Sequence, residues 1–204
     1  MFVRRFMSED PVTVSPEMPA REAAQLVRTR RIHQLPVLDE QGRIVGIVTD
    51  RDLRSAIGRD PGGSTPIGQI MTPDPTTVGP DATLEDAMTI LFARRFGSLP
   101  VVESGRLVGI ISKHDILRAL NELLGLDRAG TRISVGLPNG AADFAAALWA
   151  LHEVGISLLS AVAVDLHEET PRRMLYVRVA SLDPTPAERA LREAGLIPVS
   201  PKVS

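Results

Sequence analysis

The sequence has no cysteine among its 204 residues, and only 3% of the residues are aromatic. Without cysteine the chain forms neither disulfide bonds nor thiolate nucleophiles nor zinc–thiolate sites. One Trp and one Tyr supply few rings on which nucleic-acid bases could stack. The formal net charge of -2 includes no basic excess that would direct the protein to nucleic acid.

Long apolar runs are also missing from the chain. No stretch approaches the roughly 20 residues that a membrane-spanning helix needs, and the first residues lack the apolar segment of a signal peptide. We therefore expect a soluble, cytoplasmic protein with neither a membrane nor a nucleic acid as partner. The apolar fraction of 44% is enough for a folded core and argues against disorder.

One short pattern occurs twice in the chain. Each copy joins an apolar strand to a hydroxyl residue and, three positions later, to an acid. The copies are Gly46–Leu53, with Thr49 and Asp52, and Gly109–Ile116, with Ser112 and Asp115. This order places the hydroxyl and the acid where a strand leads into a helix N-terminus, and such a terminus can hold a phosphate.

The repetition extends well beyond this pattern. Met71 follows Met7 by 64 positions, and after a turn that is one residue shorter Asp115 follows Asp52 by 63. A constant offset that changes only at a turn indicates a duplicated domain, because solenoid repeats are shorter and more numerous. Each copy predicts the order βαββα, and the predicted domains are 1–60 and 61–125, joined by a Gly- and Pro-rich linker at 58–66. Since one copy alone buries little surface, we expect the two to pack about a pseudo-two-fold axis and to leave two equivalent clefts.

The last predicted domain, 129–204, has the order βαββαβ of a ferredoxin-like fold. A turn at Pro138–Gly140 precedes a predicted helix over 141–154. Trp149 lies among Ala and Leu residues of this helix, which indicates a place in the core or in an interface. The polar stretch 167–173 predicts a hairpin loop.

The duplicated copies resemble a pair of CBS domains, known as a Bateman module. The likeness rests on Leu35–Val37, on Leu99–Val101 and on the two strand-to-helix patterns. The last domain is similar to an ACT domain in its turn at Leu137–Gly140 and in the helix that ends at Gly155, although Pro138-Asn139-Gly140 stands where ACT domains have Pro-Gly. The layout resembles the acetoin-utilisation protein B (AcuB) family of bacteria. The predicted fold class is therefore α+β: two βαββα CBS units forming a pseudo-two-fold Bateman module, followed by a ferredoxin-like βαββαβ ACT-like domain.

The repeated pattern suits the chemistry of a nucleoside phosphate. A helix N-terminus attracts a phosphate, and the hydroxyl of Thr49 or Ser112 can donate a hydrogen bond to it. An ionised carboxylate only accepts hydrogen bonds. Asp52 or Asp115 can therefore accept from both vicinal hydroxyls of a ribose.

The resemblance implies where the rest of a nucleotide site lies. In CBS proteins that bind adenosine ligands the base wall of one site tends to come from the other copy, so Asp115 would face 32–34 and Asp52 would face 96–98. The predicted nucleotide-binding residues are Thr13, Ile32, His33, Gln34, Thr49, Arg51, Asp52, Thr77, Phe96, Gly97, Ser98, Ser112, Lys113, His114 and Asp115. Some AMP sensors place His-Arg before Leu-Pro to hold phosphate. Here Gln34 follows His33, so polyphosphate binding is expected to be weaker, with Arg51, Lys113 and His114 to supply charge.

Helix capping is an open alternative for the repeated pattern. A hydroxyl residue three positions before an acid forms a capping box, which satisfies helix N–H groups without any ligand. Thr83 and Asp86 form such a box at a helix that has no other sign of a ligand. The cations Arg31 and Arg95 end predicted helices, where the helix dipole explains them.

The favoured hypothesis is a non-catalytic regulatory protein involved in energy sensing. It binds AMP, ADP, ATP or a related adenosyl ligand in the CBS clefts and transmits its state to the ACT-like domain or to an unidentified partner, in acetoin or central carbon metabolism. The alternative is an amino-acid or small-metabolite sensor that binds at Asn139 and Gly140, with the CBS pair as a dimerisation scaffold. In either case the resemblance implies a homodimer.

An enzyme is the third hypothesis, and the sequence offers little for it. It contains no nucleophile–base pair and no Walker loop. His152 and His167 have no partner at metal-ligand spacing, and Glu168–Glu169 predicts a solvated loop. We therefore expect no catalytic residue, no metal and no required cofactor, with the adenine nucleotide as a regulatory ligand.

Overall fold

The computed structural model of the chain describes residues 1–166 and 173–199. Backbone contacts divide the chain into two units, Met1–Arg118 and Ala119–Ser204. Among the described residues no helix is long and apolar enough to cross a membrane.

The first unit contains the two predicted copies, each in the order βαββα. The first copy consists of β1 (Ser8–Glu9), α1 (Ala20–Arg30), β2 (Gln34–Leu38), β3 (Ile44–Thr49) and α2 (Asp50–Arg59). The second copy consists of β4 (Thr72–Pro73), α3 (Leu84–Ala93), β5 (Ser98–Glu103), β6 (Arg106–Ser112) and α4 (Lys113–Leu123), and α4 crosses the boundary between the units. Short 3-10 turns, Val3–Arg5 and Ile67–Gln69, precede β1 and β4.

The two copies exchange their first strands. Strand β1 pairs with β6, with Ser8 opposite Ile110, and β4 pairs with β3, with Thr72 opposite Ile47. The resulting antiparallel sheets have the orders β1-β6-β5 and β2-β3-β4. Each sheet therefore contains strands from both copies, and neither copy can form its sheet alone.

Hydrophobic spacing explains the core of the first copy. In α1 the buried residues Ala20, Ala23 and Val27 recur on one helical face. In β2 the residues Leu35 and Val37 are fully buried together with their neighbours on β3. Strand β2 lies at the edge of its sheet, which is where a strand tolerates a proline such as the one at position 36.

The predicted linker is an ordered loop. Helix α2 runs to Arg59, so the prediction that the linker begins at Gly58 was wrong by two residues. Asp60 then accepts hydrogen bonds from the backbone and the hydroxyl of Ser64 and Thr65, at 2.9–3.0 Å. The side-chain bonds from Ser64 and Thr65 lower the pKa of Asp60 below its ordinary value of 3.8.

The second unit has the predicted element order βαββαβ. Its elements are β7 (Thr131–Gly136), α5 (Ala141–Glu153), β8 (Leu158–Asp165), β9 (Arg173–Val179), α6 (Thr185–Glu193) and β10 (Pro198–Val199). All its strand pairs are antiparallel, in the sheet order β10-β7-β9-β8. Leu151, Leu175 and Leu191 lie in its core. Trp149 is 64% exposed, so of its two predicted places the core was wrong and an interface stays a prediction. Of the predicted loop 167–173, residues 167–172 lie outside the described residues and Arg173 begins β9.

Candidate functional site

Both repeated hydroxyl–acid pairs cap helices. Asp52 Oδ2 accepts from Thr49 N at 3.0 Å and from Thr49 Oγ1 at 2.6 Å, and Asp52 N donates to Thr49 Oγ1 at 3.3 Å. Asp115 Oδ2 accepts from Ser112 N at 2.9 Å and from Ser112 Oγ at 2.6 Å, and Asp115 N donates back at 3.3 Å. Each hydroxyl thus donates to its own acid, and it must turn away from that acid to donate to a phosphate.

The third hydroxyl–acid pair, Thr83 and Asp86, caps a helix without lining the cavity beside either of the repeated pairs. Thr83 Oγ1 donates to Asp86 Oδ2 at 2.7 Å, and Asp86 N donates to Thr83 Oγ1 at 3.1 Å. This pair begins α3 and lines neither cavity of the first unit described here. The motif alone therefore does not indicate a ligand, and only the residues around it distinguish a binding site from a helix cap.

Asp115 lies beside a cavity of about 590 Å³. The cavity joins Arg31–Gln34 of the first copy to Ser112–Asp115 of the second copy, and Ser8, Gly97–Ser98 and Ile110 complete its wall. The structure therefore brings Asp115 together with 32–34, the stretch proposed to face it. Residues 97 and 98 were expected opposite Asp52, but they line this same cavity.

The cavity carries more positive than negative groups. Arg31 and Lys113 line it together with His33 and His114. Among the described residues Asp115 supplies the one carboxylate of the lining, and this residue is only 6% exposed and already paired with Arg118 outside the cavity wall. Such a balance favours an anionic ligand at the N-terminus of α4.

Ser98 has an unsatisfied hydroxyl in this cavity. The residue is 5% exposed, and its Oγ has no hydrogen-bond partner among the described residues. A buried polar group without a partner costs about 1–3 kcal/mol. A polar group of a bound ligand would recover that cost.

Gly97 allows Gln34 to take its place in the cavity wall. A Cβ atom at position 97 would collide with the Gln34 side-chain amide nitrogen. Any other residue at position 97 would make the Gln34 amide shift, so glycine leaves this side chain room in the cavity wall. Lys113 is also positioned by a neighbour, since its Nζ lies 5.6 Å from the centre of the Phe92 ring.

The first copy does not present the same arrangement. Asp52 lines another cavity, of about 380 Å³, whose other wall residues are Ser55, Ala56, Arg59, Thr65, Gln69 and Ile70. Neither cavity is lined by the remaining predicted residues, which are Thr13, Thr49, Arg51, Thr77 and Phe96.

Sequence reasoning missed three residues of the Asp115 cavity. Ser8 reaches it because β1 crosses to the other copy, and Ile110 is its partner in the sheet. Arg31 was assigned to the helix dipole, but it adopts a left-handed conformation with φ of 53° after the end of α1. Its position next to 32–34 was the available signal.

The predicted turn of the second unit also borders a cavity. Asn139 N donates to Asp143 Oδ2 at 2.7 Å, and Asn139 Nδ2 donates to Asp143 Oδ1 at 3.2 Å. Asn139 and Asp143 line a cavity of about 370 Å³ with Gly195–Ile197. Gly140 is the N-cap of α5 with φ of 62° and is not in its lining. His167 and Glu168–Glu169 lie outside the described residues, and residues 1–166 and 173–199 contain no group of three His, Cys, Asp or Glu that could hold a metal ion.

Two βαββα copies that exchange their first strands, with a cavity lined by residues of both copies, define a tandem-repeat module. The CBS domain profile matches residues 3–59 and 67–122. The chain belongs to the CBS domain family and carries a tandem pair of these domains. The match ends at residue 122, so it does not test the ACT-like assignment of the C-terminal unit.

Curated relatives share only part of their length with the chain. An inosine-5'-monophosphate dehydrogenase of Korarchaeum cryptofilum is 42% identical over 112 residues, which are 54% of this chain and 22% of the relative. The match to such dehydrogenases covers only their CBS part. The CBS domain-containing protein YhcV of Bacillus subtilis is 35% identical over 124 residues, which are 59% of this chain and 85% of the relative.

Solved structures with similar folds include complexes with adenosine ligands. CBSX2 of Arabidopsis thaliana in complex with AMP has a TM-score of 0.55 and 30% identity, covering 62% of this chain and 98% of that chain. The CBS domain pair of protein MJ0100, with 5-methylthioadenosine and S-adenosyl-L-methionine, has a TM-score of 0.55 and 29% identity, covering 59% and 96%. AcuB from Vibrio cholerae has a TM-score of 0.57 and 30% identity, covering 62% and 95%.

Proposed function

We propose that this protein is a regulatory protein that binds an adenine nucleotide or a related adenosyl ligand in the Asp115 cavity. One observation carries the proposal: the cavity combines cationic side chains, a helix N-terminus and the unsatisfied hydroxyl of Ser98 in one cleft. Support comes from the two similar CBS pairs that bind AMP, or 5-methylthioadenosine and S-adenosyl-L-methionine. Ligand then shifts the protein between two states by its different affinity for them.

Each part of the ligand has a proposed place. Arg31, Lys113 and the N-terminus of α4 attract the phosphate. Ser112 and Asp115 meet the ribose. The base lies against the apolar side chains of Ile32 and Ile110, and the hydroxyl of Ser98 bonds a polar atom of the ligand. The single lysine and arginine at the phosphate end favour a monophosphate over a triphosphate.

The test is thermal unfolding of the full chain with AMP, ADP, ATP and S-adenosylmethionine. At a hundredfold excess over Kd a ligand stabilises by about 2.7 kcal/mol, which is on the order of 5–10 °C for a chain of this size. We expect Lys113→Ala to reduce the AMP shift. Asp86→Asn is the matched control, because it weakens a helix cap outside the cavity. The proposal fails if none of these ligands raises the unfolding temperature of the wild-type protein.

The second candidate function is the sensing of an amino acid or small metabolite by the C-terminal unit. It is favoured by the cavity of about 370 Å³ beside Asn139 and by the βαββαβ order, which an ACT-like domain would have. Isothermal titration with a panel of free amino acids tests it. A ligand whose binding is lost in Asn139→Ala but kept in Lys113→Ala supports this function.

The finer assignments are proposals as well. We propose domain bounds of 1–60, 61–125 and 129–204, an ACT-like identity for the last domain, a homodimer, and a role close to that of AcuB proteins. The similarity to AcuB from Vibrio cholerae supports the last point over about three fifths of the chain. Analytical ultracentrifugation of the full chain tests the dimer, which a sedimentation coefficient of a monomer would contradict.

A further inference from the structure

The second copy contains an arginine that closes the space beside Asp115. Arg118 Nη2 donates to Asp115 Oδ1 at 3.1 Å and to the carbonyl oxygen of Phe6 at 2.7 Å. One guanidinium nitrogen thus bridges a carboxylate and a backbone carbonyl. The Asp115 side chain is left 8% exposed.

The first copy has the same two acceptors without the arginine. By the repeat offsets of 63 and 64, Asp52 corresponds to Asp115, Ile70 to Phe6, and Ser55 to Arg118. A serine side chain is too short to reach across to either acceptor. Where the second copy places a guanidinium, the first copy has the open cavity of about 380 Å³ that Asp52, Ser55 and Ile70 line.

The acceptors in this cavity are available. Both hydrogen bonds from Thr49 go to Asp52 Oδ2, and the described part of the chain supplies no donor to Asp52 Oδ1 or to the Ile70 carbonyl. Arg59 also lines the cavity, but its guanidinium is turned to Ser55, with Nε 3.3 Å from the carbonyl oxygen and Nη2 3.2 Å from Oγ. Among residues 1–166 and 173–199, no side chain therefore makes in the first copy the pair of hydrogen bonds that Arg118 makes in the second.

We propose that the cavity beside Asp52 binds the guanidinium or primary ammonium group of a small organic cation, in the place that Arg118 fills within the second copy. The charge of Asp52 and the carbonyl of Ile70 supply the same pair of acceptors. Charge-assisted hydrogen bonds of this kind are stronger than neutral ones. The site is separate from the Asp115 cavity and does not depend on nucleotide binding there.

The test is isothermal titration of the full chain with methylguanidinium, in the absence of nucleotide. Tetramethylammonium is the matched control ligand, because it has the same charge and no N–H donor. We expect one saturable site for methylguanidinium in the millimolar range and none for tetramethylammonium. Equal binding of both cations, or no binding of methylguanidinium, overturns the proposal.

Two variants locate the site without disturbing the helix cap at Thr49, and a third, at Asp52, tests the charge. Ser55→Arg places an internal guanidinium in the cavity, so it abolishes methylguanidinium binding and keeps or raises the unfolding temperature. Arg118→Ser opens the equivalent space and raises the stoichiometry from one to two. Asp52→Asn weakens binding about tenfold, which corresponds to one charge-assisted hydrogen bond. Unchanged binding in Ser55→Arg overturns the assignment, and an AMP titration of the same variant reports separately on the nucleotide site.

Discussion

Met7 lies against Gly109 so closely that a Cβ atom on the glycine would be 2.6 Å from the Met7 sulfur and 3.0 Å from the carbonyl oxygen of Ser8. The same contact occurs between Met71 and Gly46 on the other side of the pseudo-symmetry. In each pair the methionine belongs to one copy and the glycine to the other. In both receiving strands, β3 and β6, glycine therefore leaves room for the methionine that precedes the exchanged strand.

Gly109→Ala is expected to destabilise the protein. The added methyl group must displace Met7 and press on the backbone of β1, and overpacking of this kind costs about 1–3 kcal/mol. Urea unfolding measures the change. Gly58→Ala is the control, because a Cβ there meets no atom within 4 Å and removing glycine from a helix stabilises by about 0.5–1 kcal/mol. Equal stability of Gly109→Ala and wild type would contradict the proposed role of this contact.

Ser98→Ala is expected to change stability and nucleotide affinity in opposite directions. Removing an unsatisfied buried hydroxyl stabilises the free protein by about 1 kcal/mol, while the lost hydrogen bond weakens AMP binding. Ser160→Ala is the matched control, because its hydroxyl donates to the Leu124 carbonyl at 2.9 Å. That control loses stability and keeps its AMP affinity. A Ser98→Ala variant that binds AMP as wild type does would remove Ser98 from the site.

Arg118 is expected to reduce the number of ribose hydroxyls that can donate a hydrogen bond to Asp115. A carboxylate has about four acceptor positions, of which Ser112 takes two and Arg118 takes one. One acceptor position remains on the carboxylate, and a single ribose hydroxyl is enough to fill it. We therefore expect AMP and 2'-deoxy-AMP to bind the wild type with similar affinity. In Arg118→Ser a second acceptor position opens, so both ribose hydroxyls of AMP can donate to Asp115. The affinity for AMP relative to 2'-deoxy-AMP then grows several-fold, as expected for one additional hydrogen bond. Competition titrations of the two nucleotides test this, and an unchanged ratio in the variant would contradict it.

Asp60 is expected to make stability depend on acid pH. Its pKa in the folded chain is lowered, first by the hydroxyl of Ser64 and then by that of Thr65. The stabilisation is therefore fully present above the ordinary value of 3.8 and is lost as the pH falls through the lower folded pKa. Asp60→Asn is less stable than wild type at neutral pH, and the difference shrinks in acid. Glu40→Gln, at an exposed position in a turn, is the control, and a difference for Asp60→Asn that does not change with pH would contradict the prediction.

The sequence predicted those features that its repeat and its short motifs encode directly. The offset from Met7 to Met71 revealed the duplication, and hydroxyl–acid spacing located helix starts, including the one at Thr83. It could not reveal the exchange of β1 and β4, because strands of two residues have no hydrophobic period. Arg31 was missed because the dipole of the preceding helix already explained a cation there, although the residue lies next to 32–34.

Pairing across the copies was the least predictable part of the candidate site. The resemblance suggested that Asp115 faces 32–34, and the cavity brings them together. It suggested an equivalent partner for Asp52, whereas that acid lines a cavity with Ser55 and Ile70. At equivalent positions the second copy has Arg118 and the first copy has Ser55. The hydroxyl–acid pattern that both copies share does not show this difference.

The most direct measurement is a crystal structure of the full chain with AMP. The account predicts the nucleotide between Arg31–Gln34 and Ser112–Asp115, with the phosphate toward Lys113 and a polar atom of the ligand bonded to Ser98. AMP bound only beside Asp52 or beside Asn139, with the Asp115 cavity free of nucleotide at saturating AMP, would contradict the account.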